Sequence, residues 1–271
     1  MNGGLFATAG CGMLLAIDIG NSNIVIGCMA DGSVRNVFRM VTDAFKTEDE
    51  YIAKMRQILD FNNITPSMFD GAIISSVVPP LTGVFRAAVA RLTGLESVVV
   101  GAGIKTGLNI LIENPAELAS DIVAVAVAAA AKYPPPIVMV DMGTATKIFV
   151  INAAGAFIGG AICPGIGLSA DTLASGTALL PKVSIEAPKN AIRGDTVGAM
   201  RSGIVFGAAA MVDGMIDRFE KEIGHTASLV ATGGYSHCVI PHCKRAIDID
   251  GGLLLTGLHI LYEKNRIKST A

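Results

Sequence analysis

Two short segments of the chain carry an aspartate and a glycine at the same spacing. They are IDIGNSNIVIG, residues 17–27, and VDMGTATKIFV, residues 140–150. The shared positions are Asp18 with Asp141 and Gly20 with Gly143. Glycine lets a phosphate approach backbone N–H groups, small polar side chains add donors, and an aspartate can hold Mg²⁺. The two segments therefore suggest phosphate binding during phosphoryl transfer.

A third glycine turn strengthens this interpretation. TGG, residues 232–234, follows an apolar run that is typical of a strand. One D-x-G sequence alone is a common turn with a high false-positive rate, whereas two matched copies and a late TGG favour nucleotide binding. The predicted ATP and phosphate ligands are Asp18, Gly20, Asn21, Ser22, Gly143, Thr144, Ala145, Thr146, Gly233 and Gly234.

The elements that must position these residues repeat as well. Each copy shows an apolar run, a tight polar turn and a second apolar run, which predicts a hairpin. Aligning the aspartates also matches Ala30 with Ala153 and Gly32 with Gly155. We interpret the chain as a duplicated β-rich half followed by helices. Two such α/β halves would face each other across an interdomain cleft, where ligands commonly bind.

Periodicity predicts the remaining elements. Helical spacing covers residues 47–59, 81–92, 121–133, 202–222 and 253–265. Strand patterns cover residues 14–17, 24–28, 34–40, 71–78, 97–100, 137–140, 148–152, 156–162 and 229–231. The predicted domains are 13–120 and 121–265. Residues 1–12 are predicted to be a flexible extension or tag, since they lack the basic residues of a signal peptide.

Composition excludes several classes of function. The chain has 271 residues, 51% of them hydrophobic, and a net charge of −2 without a basic stripe, which argues against nucleic-acid and membrane-surface partners. The apolar run at 122–131 is too short to span a bilayer. Five cysteines form no evident disulfide framework, which favours free thiols in the cytoplasm.

One further segment could bind metal. HCVIPHC, residues 237–243, offers four nitrogen or sulfur ligands, as zinc sites do. Its adjacent His-Cys pairs would strain a single tetrahedral site, so we favour a surface loop over a zinc cluster. The long apolar helix at 202–222, with Gly203 and Gly207, is a possible dimer interface.

The chain resembles the superfamily of acetate kinase, sugar kinases, heat-shock chaperones and actin, and within it most closely the type III pantothenate kinase family. The resemblance covers almost all of residues 13–265. It rests on DIGNSN, SSVVPPLTG (75–83), TGLNILIENPAEL (106–118), VDMGTAT, GGAICPGIGLS (159–169), ALLPKV (178–183), DTVGAMRSGIVFG (195–207), ATGG (231–234) and GLHILYEKN (257–265).

This resemblance implies an α/β fold of two duplicated ribonuclease H-like, actin-like ATPase domains. It implies a cytoplasmic homodimer that phosphorylates pantothenate with ATP, the first step of coenzyme A synthesis, using Mg²⁺ and K⁺ or NH₄⁺. Asp121 would be the general base, Asp18 would hold Mg²⁺ through water, and Asp141 with Thr196 would bind the monovalent cation. An alternative role for Asp121 is to cap the helix that follows it.

The sequence departs from the family pattern in the implied acceptor pocket. Ile112 stands where the family has Tyr, Ala119 where it has Gly, and Ile122 where it has Arg. Lys147 stands where the family has Thr, and Ser120 completes the predicted pocket. The missing Arg matters because pantothenate carries a carboxylate. Lys147 could replace that charge, reach the phosphates or point into solvent.

Three functions follow from this pattern. The first is a pantothenate kinase with an altered acceptor pocket, which we favour. The second is a kinase of the same fold that acts on a different small hydroxyl compound. The third is a non-catalytic, nucleotide-binding regulatory homologue, against which the retained Asp18, Asp121 and Asp141 argue.

Overall fold

The computed structural model describes residues 12–266, which divide into two compact units. The first unit comprises residues 12–106, 118–124 and 254–266, and the second comprises 107–117 and 125–253. The predicted boundaries at 13–120 and 121–265 stay a prediction. The predicted extension lies outside the described residues, apart from Gly12.

The first unit is built on a five-stranded sheet of order β3-β2-β1-β4-β5. Its strands are β1 (Met13–Ile19), β2 (Asn23–Ala30), β3 (Ser33–Val41), β4 (Phe69–Ser76) and β5 (Ser97–Val99). Strands β1, β2 and β3 pair antiparallel, while β4 pairs parallel to β1 and β5 parallel to β4. This arrangement puts the carboxyl ends of β1 and β4 side by side.

Helices α1 (Glu48–Phe61) and α2 (Pro79–Thr93) pack on this sheet. Thr47 and Glu50 form a capping box that fixes the start of α1. Two prolines begin α2, and Gly94 ends it in the left-handed conformation. Tyr51 and Phe85, one from each helix, are fully buried and lie 4.6 Å apart between ring centroids.

The second unit is built on a six-stranded sheet of order β11-β10-β7-β8-β9-β6. Its strands are β6 (Asn109–Ile110), β7 (Ile137–Met142), β8 (Ala145–Ile151), β9 (Ala156–Pro164), β10 (Ser228–Thr232) and β11 (Asp248–Ile249). Its helices include α4 (Ile166–Ser175), α5 (Thr196–Ile223) and α6 (Ser236–Val239). Helix α3 (Ser120–Lys132) contributes its start to the first unit and its remainder to the second, and α7 (Leu253–Asn265) belongs almost entirely to the first.

The two sheets share one topology, as the predicted duplication requires. In each, the first strand of a hairpin pairs antiparallel with the second, the second with the third, and two later strands add in parallel on the other side. Gly32 and Gly155 follow the second strand of each copy and both adopt positive φ. The predicted α/β class with two similar halves is confirmed.

Three α-helices of the described residues differ from the sequence prediction, and the short α6 is one that was not predicted. Helix α4 was not predicted. Its N-cap is Gly165, which has no side chain that could cap the helix and so mark its first turn in the sequence. Helix α5 begins at Thr196 rather than at 202, because Asp195 caps it: Oδ1 accepts the N–H of Gly198 at 2.7 Å.

Among the described residues, α5 is the one helix that is long and apolar enough to cross a membrane by length and composition. One side of it is buried in the core of the second unit, where Val205, Val212 and Ile216 are fully enclosed.

Candidate active site

Asp18 is a buried carboxylate of the first unit. It lies near the end of β1, where its side chain is only 7% exposed. The parallel register of β1 and β4 puts Ser75 beside it, and the Ser75 hydroxyl donates to Asp18 Oδ1 at 2.6 Å. A fixed carboxylate is an oxygen ligand of the type that Mg²⁺ accepts directly or through water, so the residue fits the predicted metal role.

The same hydroxyl connects Asp18 to the start of helix α3. The Oγ atoms of Ser75 and Ser120 lie 2.9 Å apart. Ser120 Oγ also accepts the N–H of Ser76 at 3.0 Å, so the end of β4 and the start of α3 are joined. Ser75 was not predicted to have a role, although it lies in the SSVVPPLTG segment. Its partner is 57 residues away, and a pairing at that distance depends on strand register.

Asp121 follows Ser120 and lies in the first turn of α3. Its Oδ1 accepts the N–H of Ile122 at 2.7 Å, so the half-buried carboxylate occupies the positive end of the helix. The predicted base and the capping alternative are therefore compatible. The serine pair brings the start of α3, and with it Asp121, to the sheet edge that carries Asp18 within one unit.

The first glycine turn is held in shape by Thr42. The N–H of Gly20 donates to the carbonyl of Asn23 at 3.0 Å, and the Thr42 hydroxyl donates to the Gly20 carbonyl at 2.6 Å. Asn21 and Ser22 are exposed at the tip of this turn. Their side chains are therefore accessible to a phosphate.

The second turn consists of Gly143 and Thr144, and it is one residue shorter than the first. Gly165 packs beneath it so closely that a Cβ there would lie 2.1 Å from the Thr144 carbonyl oxygen. Thr144 is exposed at the tip. Thr146 instead points into the interior, where its fully buried hydroxyl has no hydrogen-bond partner. Phosphate binding by Thr146 stays a prediction.

The third turn, at Gly233, lies against the second. A Cβ on Gly233 would lie 2.6 Å from the backbone N of Met142 and 2.7 Å from Asp141 Oδ1, and the residue has φ of 93°. Only glycine combines that φ with so close an approach. Gly234 follows it and is exposed. The predicted TGG turn is thus placed beside the Asp141 carboxylate.

Lys147 forms an ion pair with Asp141. The two residues lie opposite each other in the β7–β8 pairing, and Lys147 Nζ is 2.8 Å from Asp141 Oδ2. The Lys147 side chain is 14% exposed and that of Asp141 is 20% exposed, so the pair is largely withdrawn from water. This contact is inconsistent with the suggestion that Lys147 points into solvent.

This ion pair bears directly on the predicted monovalent-cation site. Thr196, the other predicted ligand, is the exposed first residue of α5. At an effective dielectric constant of about 20, an ammonium about 4 Å away repels a second cation by about 4 kcal/mol, which cancels the attraction of a carboxylate at the same distance. With Lys147 on its carboxylate, Asp141 does not fit a further monovalent cation.

The residues predicted for the acceptor pocket belong to two places in the chain. Ala119, Ser120 and Ile122 lie at the start of α3 in the first unit, and Ile122 is only 8% exposed. Ile112 lies in the second unit, where its methyl group is 3.8 Å from the position of a Cβ on Gly159. An apolar, buried Ile122 cannot donate hydrogen bonds to a carboxylate as an arginine would.

The HCVIPHC segment packs as part of the second unit. The ring of His242 lies edge-on to Phe206 at 5.0 Å, and Cys243 Sγ is 3.8 Å from the carbonyl oxygen of Ala209. Burial raises the pKa of the Cys243 thiol to about 12, which disfavours the thiolate that zinc requires. Between residues 12 and 266 there is no group of three or more His, Cys, Asp or Glu side chains that could hold a metal ion.

Solved structures share this fold at low sequence identity. Component A of (R)-2-hydroxyglutaryl-CoA dehydratase from Acidaminococcus fermentans is similar, with a TM-score of 0.56 and 13% identity over 93% of this chain and 97% of that one. At this identity the likeness concerns the fold alone. The predicted actin-like fold class is confirmed.

Sequence relatives are much closer. A type III pantothenate kinase from Pelobacter propionicus is 43% identical over 256 residues, which is 94% of this chain and 100% of the relative. One from Exiguobacterium is 38% identical over 254 residues, again 94% of this chain and 100% of the relative. The sequence model of the family described as "Type III pantothenate kinase" matches residues 14–218. The chain therefore belongs to the type III pantothenate kinase family.

Proposed function

We propose that this protein transfers the γ-phosphoryl group of ATP to the hydroxyl of pantothenate, which gives 4′-phosphopantothenate for coenzyme A synthesis. Family membership supports a kinase that acts on an alcohol group and uses ATP with a divalent metal. The observation that carries the proposal is the hydrogen-bonded set Asp18, Ser75 and Ser120, which fixes the carboxylate suited to the metal and the helix start that holds the base.

The proposed reaction is an in-line displacement at the γ-phosphorus. The pantothenate hydroxyl oxygen forms the new bond to phosphorus while the bond to the departing ADP oxygen breaks. Asp121 takes the hydroxyl proton as this happens, which is general-base catalysis. Asp18 would hold Mg²⁺ through water, and the bound ion would offset the phosphate charge.

The glycine turns supply hydrogen-bond donors to the phosphates. The proposed phosphate ligands are Gly20, Asn21, Ser22, Gly143, Thr144, Ala145, Gly233 and Gly234. The glycines let a phosphate approach the backbone closely, and the exposed Asn21, Ser22 and Thr144 add side-chain donors.

The acceptor pocket is altered relative to the family pattern. Ala119, Ser120 and Ile122 stand next to Asp121 in sequence, at the start of α3, and so belong where the hydroxyl must arrive. Because Ile122 is apolar, the pantothenate carboxylate must be bound by other donors. Roles for Ile112 and Lys147 in this pocket stay predictions.

The proposal extends to assembly and location. A cytoplasmic homodimer is implied by the resemblance. The exposed Gly203 and Gly207 support α5 as the proposed contact, because an added Cβ at either would touch nothing within 4 Å.

The experiment that tests the function is an ADP-release assay with MgATP, with and without pantothenate. We expect ADP release that depends on pantothenate and saturates with it. ATP binding without release would contradict the proposal, and a screen of other small hydroxyl compounds would then distinguish a different acceptor from a non-catalytic homologue.

A further inference from the structure

We propose that the ammonium of Lys147 is a built-in monovalent cation for the phosphate turn, so that phosphoryl transfer needs neither K⁺ nor NH₄⁺. The inference rests on the proposed function, because it concerns the same phosphate turns. It departs from the ion requirement that the resemblance implies, and the reason is the ion pair between Lys147 and Asp141.

The position of the Asp141 carboxylate creates the need for a cation. Its Oδ1 lies 3.8 Å from the position of a Cβ on Gly143 and 2.7 Å from that of a Cβ on Gly233. These glycines begin the two turns of the second unit that are proposed to bind phosphate. A carboxylate there repels a polyphosphate unless a positive charge offsets it.

Lys147 meets this need through its geometry. Its Nζ is 2.8 Å from Asp141 Oδ2, in a pair that is mostly withdrawn from water and hence weakly screened by salt. A lysine ammonium is a compact point charge with three donors, which makes it chemically close to NH₄⁺. The Lys147 side chain thus places beside Asp141 the positive charge that a dissolved cation would otherwise supply.

The first unit supplies a comparison within the same chain. Its equivalent aspartate, Asp18, faces Val25 across the hairpin, whereas Asp141 faces Lys147. The Asp18 carboxylate accepts a hydrogen bond from the Ser75 hydroxyl. A lysine is therefore no requirement of the hairpin itself. We therefore attribute the presence of Lys147 in the second copy to the local electrostatics around Asp141.

The ion pair with Asp141 also affects the suggestion that Lys147 replaces the missing arginine of the acceptor pocket. With its charge offset by Asp141, the ammonium is a weaker substitute for an arginine that would bind the pantothenate carboxylate. The pair as a whole is neutral, and a neutral pair suits a turn that must admit a polyanion.

The first test measures ion binding rather than activity. Thermal unfolding of the wild-type chain with MgATP is followed in potassium chloride, ammonium chloride and choline chloride at equal ionic strength. We expect the same midpoint in all three salts. For Lys147→Ala, which removes the ammonium from Asp141, we expect the midpoint to rise with potassium or ammonium concentration, as it does for any ligand that binds only the folded state.

Two control variants sharpen this test. Lys147→Met fills the same space without charge, so neither ion should restore its midpoint. Lys132→Ala removes a lysine from another ion pair of the second unit, with Asp250, and should show no ion-specific response. Far-ultraviolet circular dichroism checks that each variant is folded, and Lys147→Thr is the second cavity variant if Lys147→Ala fails to fold.

The second test uses phosphorylation rates in the same salts. We expect the wild-type rate to differ by less than about twofold between choline and potassium. Lys147→Ala should lose about 100-fold in choline and recover at least about tenfold with ammonium or potassium, the size expected when one preorganised charge is removed and replaced.

The outcomes separate the two proposals. A wild-type midpoint or rate that requires potassium would overturn the role of Lys147 while leaving the kinase proposal intact. So would a folded cavity variant that ignores both ions. If pantothenate is not phosphorylated at all, the proposed function fails, and the unfolding midpoints with MgATP still decide the role of Lys147.

Discussion

Asp121 is the residue on which the proposed chemistry depends. Replacing it by Asn keeps the shape and the hydrogen bond from the Ile122 N–H but removes the basic oxygen. We expect Asp121→Asn to lower pantothenate phosphorylation by about 100-fold or more, because general-base catalysis contributes about that much. The dissociation constant of MgATP should change by less than about twofold when measured by calorimetry.

Asp60→Asn is the control for this variant, since Asp60 is exposed on α1 and pairs only with Arg56 among the ion pairs described there. It should retain full activity. Normal turnover by Asp121→Asn would mean that another group accepts the proton.

Ser75 is the residue that holds Asp18 in place. Ser75→Ala removes a 2.6 Å hydrogen bond to a buried carboxylate, which costs about 1–3 kcal/mol. We expect a lower kcat with little change in the KM for pantothenate, and a lower unfolding midpoint. Ser67→Ala, in the exposed turn before β4, should change neither. An unchanged kcat for Ser75→Ala would remove Ser75 from the site.

The role of a residue was predictable from the sequence where the residues next to it in the chain indicate that role. Asp18 and Asp121 belong to short segments whose neighbouring residues already indicate phosphoryl transfer. Ser75 and Thr42 act through partners brought together by strand pairing, and nothing next to them in sequence shows this. Lys147 stood out by its type, but only the register of β7 and β8 identified Asp141 as its partner.

At the scale of elements, the first unit depends on close packing of α7 against α3. A Cβ on Gly257 would lie 1.8 Å from the carbonyl oxygen of Ala124. Gly257→Ala must therefore push the helices apart, and we expect a loss of about 1–3 kcal/mol in the free energy of unfolding. Urea unfolding measures this directly.

Gly83→Ala is the matched control, because Gly83 lies in α2 with nothing within 4 Å of an added Cβ. It should stabilise the chain by up to about 1 kcal/mol, since alanine restricts the unfolded state. Equal effects of the two substitutions would contradict the described packing.

The end of α5 carries an ion pair that makes stability depend on pH. The hydrogen bonds from Arg245 lower the pKa of Glu220, although burial opposes this and the N–H of Ala227 adds to it. A carboxyl whose folded pKa is lowered contributes stability that is complete above its unfolded value, near 4.5, and is lost as pH falls through the folded pKa.

Glu220→Gln should therefore reduce the free energy of unfolding at neutral pH and narrow the gap to the wild type below about pH 4. Glu222→Gln, which removes the same charge at an exposed position of that helix, should lower the free energy of unfolding at neutral pH by less than Glu220→Gln does. A constant difference between Glu220→Gln and the wild type from neutral pH into the acid range would contradict the assignment.

The strands and most helices were predictable because apolar periodicity and turn residues mark them. The start of α5 was not, since TVGAMR, residues 196–201, has few strongly apolar residues and the capping role of Asp195 is visible only with the backbone in place. Helix α4 lacks a capping side chain altogether.

At the scale of the whole molecule, the proposed homodimer places the exposed glycines of α5 in a contact. Gly207→Glu should leave the fold intact, because nothing lies within 4 Å of an added Cβ, but should put charges into that contact. We expect sedimentation velocity to show a dimer for the wild type and a shift towards monomer for the variant.

Gly101→Glu, at an exposed position in the first unit, is the control and should remain dimeric. A wild-type monomer would exclude the dimer, and a dimeric Gly207→Glu would move the contact away from α5.

The duplication was the most predictable feature of the molecule, because both copies keep the same order of strand, turn and strand. The return of α7 to the sheet of the first unit was beyond sequence reasoning. Its packing depends on contacts such as Gly257 with Ala124 and Gly27 with Leu255, which join distant parts of the chain.

The most direct test of the account is to identify the product of the purified protein with MgATP and pantothenate by mass spectrometry, without potassium or ammonium. We expect 4′-phosphopantothenate in an amount equal to the ADP formed. Bound ATP with neither product nor ADP, in these salts or after potassium is added, would contradict it.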